Sequence, residues 1–316
     1  MEPTYRPILK RAWQIAWRFK YLWFFGLFAA LLGTGGMYNI NFSVDEASNQ
    51  GNWLMSLKGF LSGESATGLT WDKLVANMNI WIVVLFLMLL LAGLFLLWLS
   101  VVSQGALIYG VKEANQGRTL LFGQAFAKGR EKFWSLLALN LVMGLIALAI
   151  LMIVTLPFLI LVFKPQYATT AASLFIAASF MVMVPLGVVI SFVIRYSLFF
   201  IVNKDRSIKA AISEGWRMFK RNWLPSAEMA VVVWLVYMAV GLVLFLVVKY
   251  LVLPAVTFIF TMLVSTYVGS ETLIVIMVSL ALLFYAVVML WVRAVLNVFE
   301  ISSWVLLFEK LNNEGV

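Results

Sequence analysis

The sequence predicts an all-α fold: a polytopic transmembrane helical bundle of about six spans, arranged as three repeats of an interfacial amphipathic helix plus a transmembrane hairpin. Three observations predict it: an excess of apolar residues, long intervals without charge, and an uneven distribution of positive charge among the connections. Of 316 residues, 64% are hydrophobic and 12% charged, against about 45–50% and about 25% in soluble domains. A soluble fold of this length has nowhere to hide so much apolar surface, whereas a bilayer does.

The charge-free intervals locate the spans. They run between Lys132 and Lys164, Lys164 and Arg195, Glu228 and Lys249, and Glu271 and Arg293. Each is long enough to cross the hydrocarbon, which takes about 20 residues. The apolar stretches Tyr21 to Met37 and Trp81 to Val102 complete the set. Backbone polar groups in hydrocarbon must bond within their own segment, so helices are the expected form. A cleaved signal peptide at Tyr21–Leu32 is disfavoured, because the lead before it is long and no small-residue cleavage site follows. Tyr250–Ser270 is uncharged and broken by Pro254. It reads either as a seventh span or, preferably, as an outer-leaflet or re-entrant piece after the fifth.

Positive charge sets the orientation. Residues 1–20, 103–132 and 195–227 together carry 17 Lys and Arg, while the alternate connections carry 4, namely Lys58, Lys73, Lys164 and Lys249. Cytoplasmic loops collect such charge. The N-terminus is therefore expected in the cytoplasm, six spans return the C-terminus to it, and a prokaryotic plasma membrane is the expected location. The net charge of +9 thus points to a membrane surface rather than to nucleic acid.

Three segments on that side resemble one another. Leu121–Trp134 reads LFGQAFAKGREKFW and Ser207–Trp223 reads SIKAAISEGWRMFKRNW; aligned, Ala125 meets Ala211, Gly129 meets Gly215 and Phe133 meets Phe219. Ile8–Trp23 shares the Phe-Lys-x-x-Trp ending, Phe19, Lys20 and Trp23 matching Phe219, Lys220 and Trp223. Each segment is amphipathic at helical spacing, with Thr119 and Ser207 as N-cap candidates for the second and third. Basic, aromatic-rich helices of this kind lie in the headgroup layer. The chain then divides into units 1–114, 115–203 and 204–316, the first carrying an outer loop, 38–77, with an apolar patch at Trp53–Leu61 and a glycosylation sequon at Asn41.

Three stretches also carry a family resemblance. In Ala106–Trp134, a small-residue-rich helix end runs into Asn115-Gln116-Gly117-Arg118 and an Ala-Phe-x-x-Gly helix; Arg195–Trp223 runs Arg-Tyr-Ser-Leu, then Asn-Lys-Asp-Arg-Ser-Ile, then Phe-Lys-x-x-Trp; the last helix ends Leu-Leu-Phe-Glu-Lys-Leu at Leu306–Leu311. In these the chain resembles the multi-pass prokaryotic proteins named for the glycerophosphoryl diester phosphodiesterase membrane domain. The resemblance implies the membrane part alone, since the catalytic barrel of such enzymes uses histidines and an acidic metal set, and this sequence has no histidine.

The absence of cysteine and histidine removes thiolate nucleophiles, most zinc sites and His-based acid–base catalysis. The 14 acidic residues form no cluster in sequence. No catalytic, cofactor-binding or metal site is therefore expected. The candidate functional residues are two sets. Arg195, Glu228, Arg293 and Glu300 are charges at or within span ends, where intramembrane charge is costly and marks function or packing; Arg195 or Arg293 is expected to pair with Glu228 or Glu300. Lys10, Arg11, Arg18, Lys20, Lys128, Arg130, Lys132, Arg217, Lys220 and Arg221 are the candidate contacts to anionic lipid. Asn140, Ser179, Ser191 and Thr257 read as interhelical hydrogen-bonding groups, Pro157, Pro185 and Pro254 as kinks, and the tryptophans as interfacial belts. The function expected is that of a non-catalytic membrane protein that organises lipid or binds a partner. The alternative is a transporter or channel for a neutral or lipophilic solute.

Overall fold

A computed structural model describes residues 5–31, 80–118, 121–163, 170–266 and 271–313. The outer loop 38–77, with its sequon and apolar patch, lies outside the described residues, as do Thr119 and the last third of the stretch Tyr21 to Met37. The chain divides into two compact units, Met1–Tyr38 with Leu99–Val316, and Asn39–Trp98.

The fold is an all-α polytopic bundle. Its helices are α1 (Tyr5–Arg18), α2 (Leu22–Leu31), α3 (Ile80–Asn115), α4 (Phe122–Glu131), α5 (Phe133–Phe163), α6 (Thr170–Lys204), α7 (Ile208–Arg221), α8 (Trp223–Val247), α9 (Leu253–Thr266) and α10 (Glu271–Asn313). Five described helices are long and apolar enough to cross a membrane, and α2 is a shorter apolar helix. α10 has 43 residues, about 65 Å at 1.5 Å per residue.

Each long helix changes character along its length. The described side chains of α10 from Ile276 to Trp291 are largely exposed and apolar, and those from Ala294 to Phe308 are buried. In α6, Met181, Val182, Leu186 and Val188 are exposed, whereas Phe192 to Val202 are mostly buried. In α3, Val83 to Leu97 are exposed and Leu99 to Val111 are mostly buried. α5 and α8 add exposed Leu141, Leu145, Ile153, Leu235, Leu242 and Phe245. An apolar surface of this extent exceeds what soluble monomers leave open, and a lipid environment covers it. The protein is thus a multi-pass membrane protein by its architecture.

The buried halves carry the small residues that let helices approach. A Cβ on Gly129 of α4 would meet the Val102 carbonyl oxygen and, at 2.9 Å, the Ala106 nitrogen of α3. A Cβ on Gly215 of α7 would lie 2.7 Å from Ser197 Oγ and 3.2 Å from the Val193 oxygen of α6. On α1 the fully buried Ala12 and Ala16 take this role, packing on α10, where Trp13 meets Phe299 edge-on at 5.8 Å. Each short basic helix therefore lies on the buried half of a long one: α4 on α3, α7 on α6, α1 on α10. The helix that follows it packs there too. Gly26 of α2 sits against Ala294 and Val298 of α10, Leu136 of α5 against Gly105 of α3, and Ser226 of α8 against Tyr196 of α6. A repeat has no intrinsic starting point, and the packing groups a long helix with the two elements after it, α10 joining α1 and α2 from opposite ends of the chain.

Local chemistry explains the joints. α3 ends where Gly117 takes a left-handed φ of 77°, its N–H donating to Ala114 O and the Arg118 N–H to Glu113 O, a Schellman stop. Asp205, at φ 53°, follows α6 with the same left-handed backbone, short polar side chains tolerating that conformation, and the next N–H, of Arg206, reaches Phe200 O at 3.4 Å. The paired sequences Asn115-Gln116-Gly117-Arg118 and Asn203-Lys204-Asp205-Arg206 are thus helix stops. A short break separates each basic helix from the next, at residues 19–21, Lys132 and Asn222; in the first and third units it falls within Phe-Lys-x-x-Trp. Ser207 is the N-cap residue of α7, without a side-chain bond. α4 begins after Leu121 rather than at Thr119, because the Gln124 side chain accepts the Leu121 N–H at 3.3 Å.

The described part of the stretch Tyr250–Ser270 does not begin a separate span: α8 passes through a π-helical turn, Val248–Val252, directly into α9, and residues 267–270 lie outside the described residues. Pro254 supplies the reason. Its ring lacks an N–H and crowds the carbonyl four residues earlier, and the wider π turn relieves that clash without breaking the helix. Pro185 is likewise inside α6.

Candidate functional site

The buried halves of α6 and α10 enclose a charged cluster. Arg195 Nη2 lies 2.6 Å from Glu300 Oε1, and the two side chains are 6% and 4% exposed. Tyr237 of α8 donates its hydroxyl to Glu300 Oε2 at 2.7 Å, so both carboxylate oxygens are occupied. The Arg195 guanidinium also sits 4.7 Å over the Trp304 ring, a cation–π contact made stronger by desolvation. Phe192 borders that ring at 5.6 Å. Beside it, Tyr196 Oη and Ser226 Oγ are 2.6 Å apart. Both oxygens of Glu300 are thus bonded, and Arg195 is capped by an aromatic face.

Of the four candidate charges, the structure brings Arg195 and Glu300 together. Glu228 is exposed at the start of α8 and accepts the Tyr5 hydroxyl of α1. Burial together with that carboxylate pushes the Tyr5 hydroxyl up to about 12. Arg293 is half-buried on α10, where the exposed apolar stretch ends.

Smaller polar bridges tie the remaining helices. Asn140 donates to Gln104 Oε1 at 2.8 Å, linking α5 to α3. Asn297 donates to the Gly26 carbonyl at 2.7 Å, linking α10 to α2. Asn115 donates to Glu309 at 2.7 Å, linking α3 to α10. Thr257 instead donates to the Pro254 carbonyl of its own helix. Gln104, Tyr237, Trp304, Ser226 and Asn297 were not singled out from sequence. Their signal was local density: Ser100, Ser103, Gln104 and Gly105 fall together, as do Ser302 and Ser303, and small or polar residues concentrate where membrane helices pack.

The second candidate set forms the outer surface of the short helices. Lys10, Arg11, Arg18, Lys20, Arg130, Arg217, Lys220 and Arg221 are exposed. Lys128 and Lys132 are half-buried and committed: Lys128 pairs with Glu131 at 3.0 Å, and Lys132 with Glu131 at 3.4 Å and Asp205 at 2.5 Å. Hydrogen bonding to Lys132 holds the Asp205 carboxyl below its ordinary range, the Lys128 contact does the same for Glu131, and Asp205 raises Lys132 in return. Arg206 likewise holds Glu214 at 3.2 Å.

α1 differs from the other two. Its sequence YRPILKRAWQIAWR contains no acid, and no described carboxylate is in salt-bridge reach of Arg11 or Arg18. Arg11, Gln14, Arg18, Trp13, Trp17, Ile15 and Phe19, with Ala114 and Gly117 at the end of α3, line a partly open cavity of about 610 Å³. Trp17, Trp23 and Trp291 stack edge-on at 5.5 to 6.2 Å. Among the described residues, no three His, Cys, Asp or Glu side chains come together as metal ligands would.

A family model matches residues 13–314, nearly the whole chain, and is described as a family of unknown function, DUF7544. No curated protein and no solved structure matches the chain.

Proposed function

We propose that this chain, which belongs to the family of unknown function DUF7544, is a non-catalytic membrane protein that organises anionic lipid around a basic face. The observation that carries the reading is the basic surface of α1, α4 and α7: three short helices bury small and apolar residues and leave Arg11, Arg18, Arg130, Arg217, Lys220 and Arg221 exposed. In this reading the helices are amphipathic, lie in the cytoplasmic headgroup layer of a prokaryotic plasma membrane, and keep both termini on that side. The positive-charge asymmetry of the sequence supports that orientation. The resemblance to the glycerophosphoryl diester phosphodiesterase membrane domain supports the membrane part, and the lack of His and Cys supports the absence of catalysis.

Each Lys or Arg near an anionic surface contributes about 1 kcal/mol of attraction. The protein reconstituted in nanodiscs of mixed phosphatidylglycerol and phosphatidylcholine should therefore enrich the anionic lipid around itself. Replacing Lys220 and Arg221 by Gln should weaken that enrichment, and added salt should do the same. Retained lipid with the composition of the bulk mixture would contradict the reading.

The rival is a transporter or channel for a neutral or lipophilic solute. Its supporting observation is the π-helical turn at Val248–Val252, since interrupted helices recur at transport sites. Against it, the buried Arg195 and Glu300 are bonded to each other, with Tyr237 on the second carboxylate oxygen.

A further inference from the structure

The positive charge of the three short helices is not equally available. On α4, Lys128 and Lys132 are taken by Glu131 and Asp205. The smaller cleft beside α7, about 190 Å³, contains Arg217 and Arg221 together with the Glu214 carboxylate, which repels an anion. Among the described residues, α1 combines an acid-free helix with a cavity of about 610 Å³. Arg11, Gln14 and Arg18 are spaced i, i+3 and i+7, so they stand on one helix face. Ile8, Ala12, Ile15 and Ala16 are buried alongside that face, Ile15 closing the floor of the cavity.

Resting on the lipid-organising reading, we infer that this cleft is a specific site for the phosphodiester headgroup of an anionic lipid, held by Arg11 and Arg18. A guanidinium binds phosphate oxygens in a bidentate fork, and Gln14 adds an amide donor. Trp13 and Trp17, exposed beside them, and Phe19 offer an apolar wall for the glycerol and the first methylenes. The volume of about 610 Å³ falls within the range of small-molecule sites, about 300–1,000 Å³. One feature of the cleft opposes an anion: the C-terminus of α3 at Ala114 and Gly117 carries carbonyl charge. The fold blunts it. The Ala114 and Glu113 carbonyls accept the Gly117 and Arg118 N–H groups, and the Asn115 carbonyl accepts Arg11 Nη2 at 3.3 Å.

The test is native mass spectrometry of the full chain released from nanodiscs containing phosphatidylglycerol and phosphatidylcholine, counting tightly retained lipid. Wild type should retain one phosphatidylglycerol in excess. R11Q/R18Q should reduce its retention about tenfold or more, R11K/R18K should restore part of it through charge alone, and K220Q/R221Q should leave this one lipid in place. Arg11 and Arg18 are exposed, so an unchanged unfolding temperature is expected and separates site loss from misfolding. General anionic enrichment without an effect of R11Q/R18Q on the retained lipid would overturn the site while sparing the lipid-organising reading; no enrichment in wild type would remove that reading first. Displacement of the lipid by millimolar inorganic phosphate would assign the cleft to a free phosphate and overturn the lipid.

Discussion

Arg195 on α6 and Glu300 on α10 meet at 2.6 Å across the buried centre of the bundle, with Tyr237 on the second carboxylate oxygen and Trp304 under the guanidinium. Residues 105 positions apart in sequence are joined there, and α8 is drawn in through Tyr237. Removing one partner of such a pair strands a buried charge, at a cost of about 3–5 kcal/mol. Glu300→Gln or Arg195→Met should therefore lower the thermal unfolding temperature markedly in detergent. The double replacement R195M/E300L should lose less than the two single losses combined. Strict additivity would show that the two groups do not act as a pair.

Close approach at Gly129 and Gly215 predicts a second effect. Alanine at either position drives a Cβ into the backbone of α3 or the Ser197 side chain and backbone of α6. Overpacking of this kind costs about 1–3 kcal/mol. Gly144, with nothing within 4 Å of its hypothetical Cβ, is the control; in a helix Gly→Ala there should be neutral or stabilising by about 0.5–1 kcal/mol. Thermal unfolding of the three variants checks the ordering.

Lys132 and Asp205 predict a pH dependence. The Asp205 carboxyl is held below its ordinary value by Lys132, so the folded state favours its ionised form. Its contribution is complete above the unfolded-state value, about 3.9, and is lost as pH falls through the lower folded value. Lys132 is raised by the same contact, so its share holds below about 10.4 and is lost as pH rises through the folded value. Asp205 is well exposed, so the effect is small. Comparing wild type with Asp205→Asn across both windows should show a difference that narrows at each extreme; a constant difference would contradict it.

Much of this architecture could be read from residues. The charge-free intervals locate the spans because a bilayer penalises charge, and residues 271–313 form one helix because neither Gly nor Pro interrupts them. Other features could not be read. Leu85 and Phe86 face outward while Leu107 and Ile108 are buried, yet hydropathy scores all four alike: in a membrane, apolar residues suit both lipid and core. Small residues such as Gly105 and Ser103 carry the distinction. The π turn before Pro254 was also hidden, since a proline reads equally as a kink, a stop or a reversal. The pairing of Arg195 was legible by type, but its choice of Glu300 over Glu228 depends on helix packing.

In the proposed function the bundle is dry, its polar groups serve packing, and its basic face is the working surface. The chain has no native cysteine, so single cysteines at Ser179 and Ser279 in the apolar stretches of α6 and α10 can be probed in proteoliposomes. A membrane-impermeant thiol reagent would be supplied on both sides, with exposed Ser207→Cys as the labelled control. Protection at both positions with full labelling at residue 207 is the result predicted. Labelling at either would place water within the apolar stretches, contradict the dry bundle, and move the transporter reading to the front.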